Sequence, residues 1–298
     1  MLAQRLDHMR KSLIYLAGTL LPGRNRASVL QYYDLFTSLF ERVAENSGIL
    51  NLGYAENPQG ADLAEAQKEM VRQTVAALPR KGAWLDVGCG VGGPACLAAR
   101  ENPGVTVLGV NITPNHVDNA LARARSLGLS KRVDFRLGDA MAMPLPNEAF
   151  SGLYAIETAF HYQDKSRFCH EAFRVLAPGG VFSVADIVWG RGFRSPVDRG
   201  LLWIWKRMLA ATEIFTEGDW RNGLEAAGFS GIEVRDITRE VLDLMPVWRD
   251  RFKEHREALC RDYPRPLIAA ALLAFDIFVA RKGKAPIRYI LVTARKPE

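Results

Sequence analysis

Residues 83–100 read AWLDVGCGVGGPACLAAR, and the fold turns on them. Ala83, Trp84, Leu85 and Val87 form a short apolar strand. The chain then turns through Gly88, Gly90, Gly92 and Gly93, and past Pro94 a run of Ala, Cys and Leu reads as a helix. Glycine permits positive φ and lets a ligand approach the backbone closely. A helix start offers N–H groups with no partner inside the helix. A packed strand–turn–helix with no ligand is the plain alternative, but such glycine density weakens a fold that does not use it.

The spacing alone fits more than one ligand. Gly88-x-Gly90-x-x-Gly93 satisfies a dinucleotide fingerprint, and Gly88-x-Gly90-x-Gly92 satisfies the loop of S-adenosylmethionine (SAM) enzymes equally well. Asp86 separates them. A carboxylate beside the loop repels a pyrophosphate, whereas it favours a ligand that carries an amino group and a positive sulfur.

The 298 residues allow one large domain or two average ones. Hydrophobic residues at 48% and charged residues at 24% suit a soluble globular protein. The net charge of +6 is spread along the chain, so no nucleic-acid face is expected. Cys89, Cys96, Cys169 and Cys260 show no C-x-x-C spacing, so no metal site is expected and a reducing cytoplasm is the simplest home. Arg5, Arg10 and Lys11 precede an apolar run, Leu13 to Leu21, but no A-x-A site follows and the run is too short to span a bilayer. It reads as an amphipathic helix, resting on the main domain or peripherally on a membrane.

Ser28 to Phe40 reads as a helix with Ser28 as its cap, and Asp62 to Leu78 as a second helix stopped by Pro79. After the glycine turn, strands at Val105–Ile112, Val133–Ala140, Phe150–Phe160 and Val181–Val188 alternate with helical stretches at Pro114–Gly128 and Lys165–Leu176. Such alternation implies right-handed crossovers and a parallel sheet covered on both faces. Gly231–Thr238 and Ile287–Lys296 look like further strands. Residues 191–223 and 241–284 fall outside the alternation. Both would sit above the C-terminal sheet edge, where ligands bind in open α/β folds. Their apolar character suggests lids over an apolar or aromatic substrate, with an oligomer contact as the plainer use of the second.

Asp86-x-Gly88-x-Gly90-x-Gly92, with Gly138-Asp139-Ala140 and Leu176-Ala-Pro-Gly-Gly180 downstream, resembles the class I SAM-dependent methyltransferases over roughly Tyr32 to Arg295. The resemblance implies an α/β, Rossmann-like sheet of seven strands with the last antiparallel. Residues 1–80 would form a helical extension over the cofactor, and 81–298 the SAM-binding domain with its helical lid insertions. It implies cofactor contacts from Tyr33, Tyr54 and Gln67 in the extension, from Asp86, Gly88, Gly90 and Gly92, from Asn111 and Ile112, from Asp139 and Ala140, and from Ile156. Asn111 stands where an acid is usual, so the charge-assisted bond to the ribose is missing. Read without the family, Asp139 is also a good turn residue and the tyrosines are also good core residues.

No N-P-P-Y or D-P-P-Y follows the fourth strand; Ile156-Glu157-Thr158-Ala159-Phe160-His161 stands there. The chain therefore resembles the branch acting on small natural products, quinones, sterols and tocopherols. That resemblance implies His161 as a base for a substrate hydroxyl, Asp186 as the carboxylate that holds its ring, and Glu157 as a further acid near the methyl. Phe160, Trp203, Trp205 and Phe215 are the expected substrate contacts. An imidazole with its ordinary pKa would titrate near neutrality. O-methylation leads; C-methylation of an isoprenoid or quinone ring, and SAM binding without turnover, are the alternatives.

Overall fold

The computed structural model describes residues 10, 26–44, 47–190, 206, 210–212, 214–280 and 287–298. Trp203 and Trp205 lie outside the described residues. The strands are β1 (Gly82–Val87), β2 (Val105–Asn111), β3 (Val133–Leu137), β4 (Phe150–Ile156), β5 (Leu176–Trp189), β6 (Ser230–Asp236) and β7 (Ile287–Arg295). They form a 7-stranded sheet in the order β3-β2-β1-β4-β5-β7-β6. β1 to β5 pair in parallel, and β7 runs antiparallel between β5 and β6. This is the seven-stranded Rossmann-like sheet, with its last strand antiparallel, that the sequence resemblance implies. The order reverses at β1, and a crevice at such a switch point is where an open α/β sheet binds its ligand.

The strands are central because their side chains are apolar on both faces. Leu85, Val87, Leu153, Phe182 and Val184 feed one core, and Trp84, Val107 and Tyr154 the other. Helices α3 (Gly93–Glu101) and α4 (Pro114–Ser126) cover the second face, while α5 (Lys165–Val175) and α6 (Glu217–Ala227) cover the first. Thr216 and Asp219 close a capping box that starts α6. Trp220 and Leu224 of α6 are fully buried in the core. The last seven residues of the expected 191–223 lid, Glu217–Gly223, therefore belong to a core helix. Its apolar side chains are spent on the sheet, not on a substrate.

A further helical layer stands apart from the sheet. It contains α1 (Arg26–Val43), α8 (Met245–Glu254), α9 (Arg256–Asp262) and α10 (Arg265–Ala280). α2 (Leu63–Val75) packs on the sheet, and the short α7 (Thr238–Leu242) follows β6. α1 begins at Arg26, so Ser28 lies inside it and not at its cap. Asp62 does cap α2, accepting from Ala64 N at 2.8 Å. Leu35, Leu39, Trp248, Phe252 and Ile268 form this layer's own core. Trp248 Nε1 donates to Leu52 O at 2.8 Å, which ties the layer to the loop before α2.

Gly92 caps α3 with φ 85°, and a Cβ there would lie 2.7 Å from the Phe135 ring and 2.8 Å from Ala120 Cβ. Gly92→Ala should therefore destabilise the fold by about 2–4 kcal/mol, combining left-handed strain with overpacking. Urea unfolding would measure it, and an unchanged midpoint would refute the account.

Candidate functional site

Gly88 and Gly90, with φ 79° and 53°, carry the chain from β1 toward α3 and place bare backbone at the sheet's C-terminal edge. A Cβ on Gly88 would lie 2.2 Å from Thr158 Oγ1. The 47–52 segment lies against this turn: Gly93 N donates to Gly48 O at 3.2 Å. Beneath it Asp86 is 2% exposed, and its Oδ2 has no hydrogen-bond partner. Burial pushes its pKa up to about 7, with the Tyr154 hydroxyl pulling the other way.

One cavity opens beside the turn, lined by Val110, Asn111, Ile112, Gly138, Asp139, Ala140 and Met141, with Gly88, Tyr33 and His161. Asn111 Oδ1 accepts from Thr113 N at 2.9 Å, and Asp139 Oδ1 from Met141 N at 2.9 Å. Each carboxamide or carboxylate is thus oriented by its own loop. A larger cavity of about 200 Å³ meets the first at Gly88, Tyr33 and His161. Gly88, Cys89, Gly90, Leu50 and Asn51 form its inner end. Tyr32, Phe36, Phe40, Met245, Phe252 and Phe275 form its apolar outer end. Ile156, Glu157, Phe160 and His161 lie along the same wall.

His161 ends the short 3-10 turn after β4 and is 7% exposed. Its ring lies among Phe160, Tyr33 and Tyr32, with centroids at 4.2, 5.2 and 5.7 Å. Its Nδ1 is 3.3 Å from Ala210 O. A carbonyl only accepts, so Nδ1 carries the proton and Nε2 is the basic nitrogen. Nε2 is buried without a partner. Burial lowers the ring's pKa to about 3, so the ring is neutral throughout the physiological range. The expected titration near neutrality is corrected on this point.

Asp186 does not hold that ring, because the Ala210 carbonyl has taken Nδ1. Asp186 is fully buried, and neither carboxylate oxygen makes a hydrogen bond. Burial pushes it up to about 7, partly offset by the charge of Lys165. Glu157 is half-buried with φ 51°, and its Oε1 accepts from Leu52 N at 2.6 Å. Burial pushes it up to about 7 as well. Burial, with the carboxylates of Glu157 and Asp186, raises the Tyr33 hydroxyl.

Other expected contacts fall elsewhere. Tyr54 lines neither cavity; it is packed with Met70 and Ile187, with Arg235 5.8 Å above its ring. Gln67 is fully buried and spends its amide on Ile49 O and Asn51 O, both at 2.8 Å, so it shapes the loop over the glycine turn. Phe215 sits 5.7 Å from Trp220 and under Lys165 Nζ, in the core and not in the cavity. Gly92 packs on Phe135 and serves the fold. The residues of the aromatic outer wall were not singled out in the sequence, although 241–284, which supplies α8 and α10, reads there as a substrate lid. The wall's signal was the i, i+4 pair Phe36 and Phe40, whose partners Phe252 and Phe275 are remote in sequence.

The buried Asp86 carries a pH signature. Unfolded carboxyls ionise near pH 4, while the folded one waits until about 7. Its contribution to stability is full below about pH 4 and is lost as pH rises through about 7, at up to about 1.4 kcal/mol per unit. The stability difference between the parent and Asp86→Asn should therefore shift against the parent from pH 5 to 7 and level off above. A pH-independent difference in urea unfolding would contradict this.

These residues fit SAM: an orphaned acid under the turn, no room for a Cβ at Gly88, Gly92 or Gly93, and oriented Asn111 and Asp139 beside a small cavity. Residues 85–184 match the methyltransferase domain family Methyltransf_11. The chain is 30% identical over 299 residues to the methyltransferase GfsG of Streptomyces halstedii, covering 94% of this chain and 98% of that one. It is 27% identical over 276 residues to the erythromycin 3''-O-methyltransferase of Saccharopolyspora erythraea, covering 89% of each. Among solved structures, the [4+2]-cyclase SpnF superposes with a TM-score of 0.77 at 29% identity, covering 93% of this chain and 98% of that one. Among the described residues no helix is long and apolar enough to cross a membrane, and no cluster could hold a metal ion. The chain belongs to the class I SAM-dependent methyltransferases, in the branch found in natural-product pathways.

Proposed function

We propose that the chain transfers a methyl group to a hydroxyl of a small, largely apolar natural product. The observation that carries this reading is the orphaned Nε2 of His161, a hydrogen-bond acceptor in an aromatic cavity where it meets the glycine turn. SAM, when bound, supplies a methyl on a sulfonium with a good leaving group. The aromatic wall excludes water and holds an apolar body; the acceptor orients a hydroxyl near the turn, which is most of what a displacement needs.

The fixed tautomer makes His161 the base. Its low basicity means that it takes the proton as the oxygen loses it, not beforehand. Glu157, whose pKa of about 7 keeps it partly ionised at neutral pH, is the second proton acceptor on the same wall. Asp186 contributes through the charge balance around Tyr33 and not by holding the imidazole. The similarity to the erythromycin 3''-O-methyltransferase supports oxygen as the acceptor.

The same aromatic wall favours a second reading, methylation at carbon with rings stabilising a cationic intermediate. The similarity to the cyclase SpnF gives a third, catalysis on an apolar substrate without methyl transfer. Labelled SAM offered with pools of hydroxylated natural products separates them: the label appears on oxygen, on carbon or nowhere.

His161→Ala should lower kcat by about two to four orders of magnitude while SAM affinity stays within about twofold. Any limb of the pH–rate profile near 7 should persist in His161→Ala and change in Glu157→Gln, Asp186→Asn or Asp86→Asn, because the buried carboxyls and not the imidazole titrate there. Full turnover in His161→Ala would remove the imidazole from the mechanism.

A further inference from the structure

Helix α1 supplies the aromatic wall of the larger cavity through Tyr33, Phe36 and Phe40. It is held to α4 by polar contacts at successive turns. Thr37 Oγ1 lies 2.8 Å from His116 Nε2, and one turn further along α1, Glu41 Oε1 accepts from Arg123 Nη2 at 3.1 Å. Arg123 does more than pair with Glu41. Its Nε donates to Val91 O at 3.1 Å, within the glycine turn, and its Nη1 to Ser47 O at 3.3 Å. The guanidinium lies against Gly48, where a Cβ would fall 2.2 Å from Arg123 Cζ. That same Gly48 offers its carbonyl to Gly93 N at 3.2 Å. One planar fork thus joins the glycine turn, the segment after α1 and α1 itself. Its side chain is 24% exposed and that of Glu41 21%, so the pair is only partly screened by water.

We propose that Arg123 is a positioning residue that couples the cofactor turn to the substrate wall: order imposed on Gly88–Gly93 is passed through the guanidinium to α1. The geometry favours this role over a surface ion pair for a simple reason. A surface pair would need one partner, whereas here the other two N–H directions are spent on backbone carbonyls from the turn and from the 47–48 segment. Two sites joined by a shared rigid group bias each other reciprocally. A filled turn therefore favours the α1 position that completes the cavity, and an apolar substrate in turn favours cofactor retention. The inference rests on the cofactor site assigned above.

S-adenosylhomocysteine serves as the probe, because it needs no knowledge of the substrate. Hydrogen exchange would be followed in peptides covering residues 29–43, with and without saturating S-adenosylhomocysteine. In the parent the ligand should slow exchange there by about tenfold, a usual size for site-to-site coupling. In Arg123→Lys, which keeps the charge but loses the fork, the slowing should drop below about twofold while calorimetry gives a Kd within about threefold of the parent. Glu41→Gln, which leaves the turn contact intact, should show the same loss and serves if Arg123→Lys folds poorly. A parent whose α1 is indifferent to the ligand, or variants that keep the full protection, would overturn the coupling. Absence of any S-adenosylhomocysteine binding to the parent would instead sink the cofactor site and this inference with it.

Discussion

The site depends on how closely backbones approach one another at Gly88–Gly93. Thr158 sits where a Cβ of Gly88 would be, Phe135 where that of Gly92 would be, and the Gly48 carbonyl where that of Gly93 would be. Nothing larger than hydrogen fits at these positions, so the turn is held from three sides, and the N–H groups of Gly88, Cys89, Gly92 and Gly93 are spent on backbone carbonyls that fix it. The parallel strands set the height of the turn, and the reversal of strand order at β1 leaves room beside it. The cavity walls are referred to this fixed point: the Asn111 and Asp139 loops on one side, the Ile156–His161 stretch on the other, and the 47–52 segment above.

Desolvation is the second organising force. An apolar cavity suits an apolar substrate, and the same walls strip water from the ionisable groups around it. The effect has opposite consequences by charge type. The imidazole of His161 becomes harder to protonate, while Asp86, Glu157 and Asp186 become harder to ionise. An environment built for binding has therefore moved the neutral-pH chemistry from the histidine to the acids.

Much of this was legible in the sequence. Local signals carried the fold: the glycine turn after an apolar strand, the alternation of strands and helices, and the closing pair of strands. The cavity edge was legible too: Asn111 ends β2, and Ile112, Asp139 and Ala140 lie within three residues of a strand end, where strand direction fixes the sheet edge they reach. The errors share a cause. Tyr54, Gln67 and Phe215 have suitable residue types, yet contacts with segments remote in the chain make them a core residue, a loop brace and a packing ring. Asp186 lies near the end of β5 and His161 in the turn after the neighbouring β4, but which acceptor reaches Nδ1 depends on Ala210, a contact between segments that no local pattern announces. The aromatic wall was half legible: 241–284 reads as a lid, but the share from α1 depends on contacts between segments far apart in the chain.

That contact from Ala210 has a bearing on attempts to redesign substrate choice. Ala210 adopts φ 50°, and its neighbour Thr212 is anchored by donating from its N–H to Phe160 O at 3.0 Å. The stretch 210–212 therefore decides which imidazole nitrogen bears hydrogen and, through Thr212, also seats Phe160 in the cavity wall. Grafting a corresponding stretch from another enzyme would exchange both properties at once. A graft that kept a carbonyl facing Nδ1 would carry over its selectivity with the chemistry intact; one that presented a donor there would reverse the tautomer and leave a well-shaped pocket with its acceptor turned into a donor.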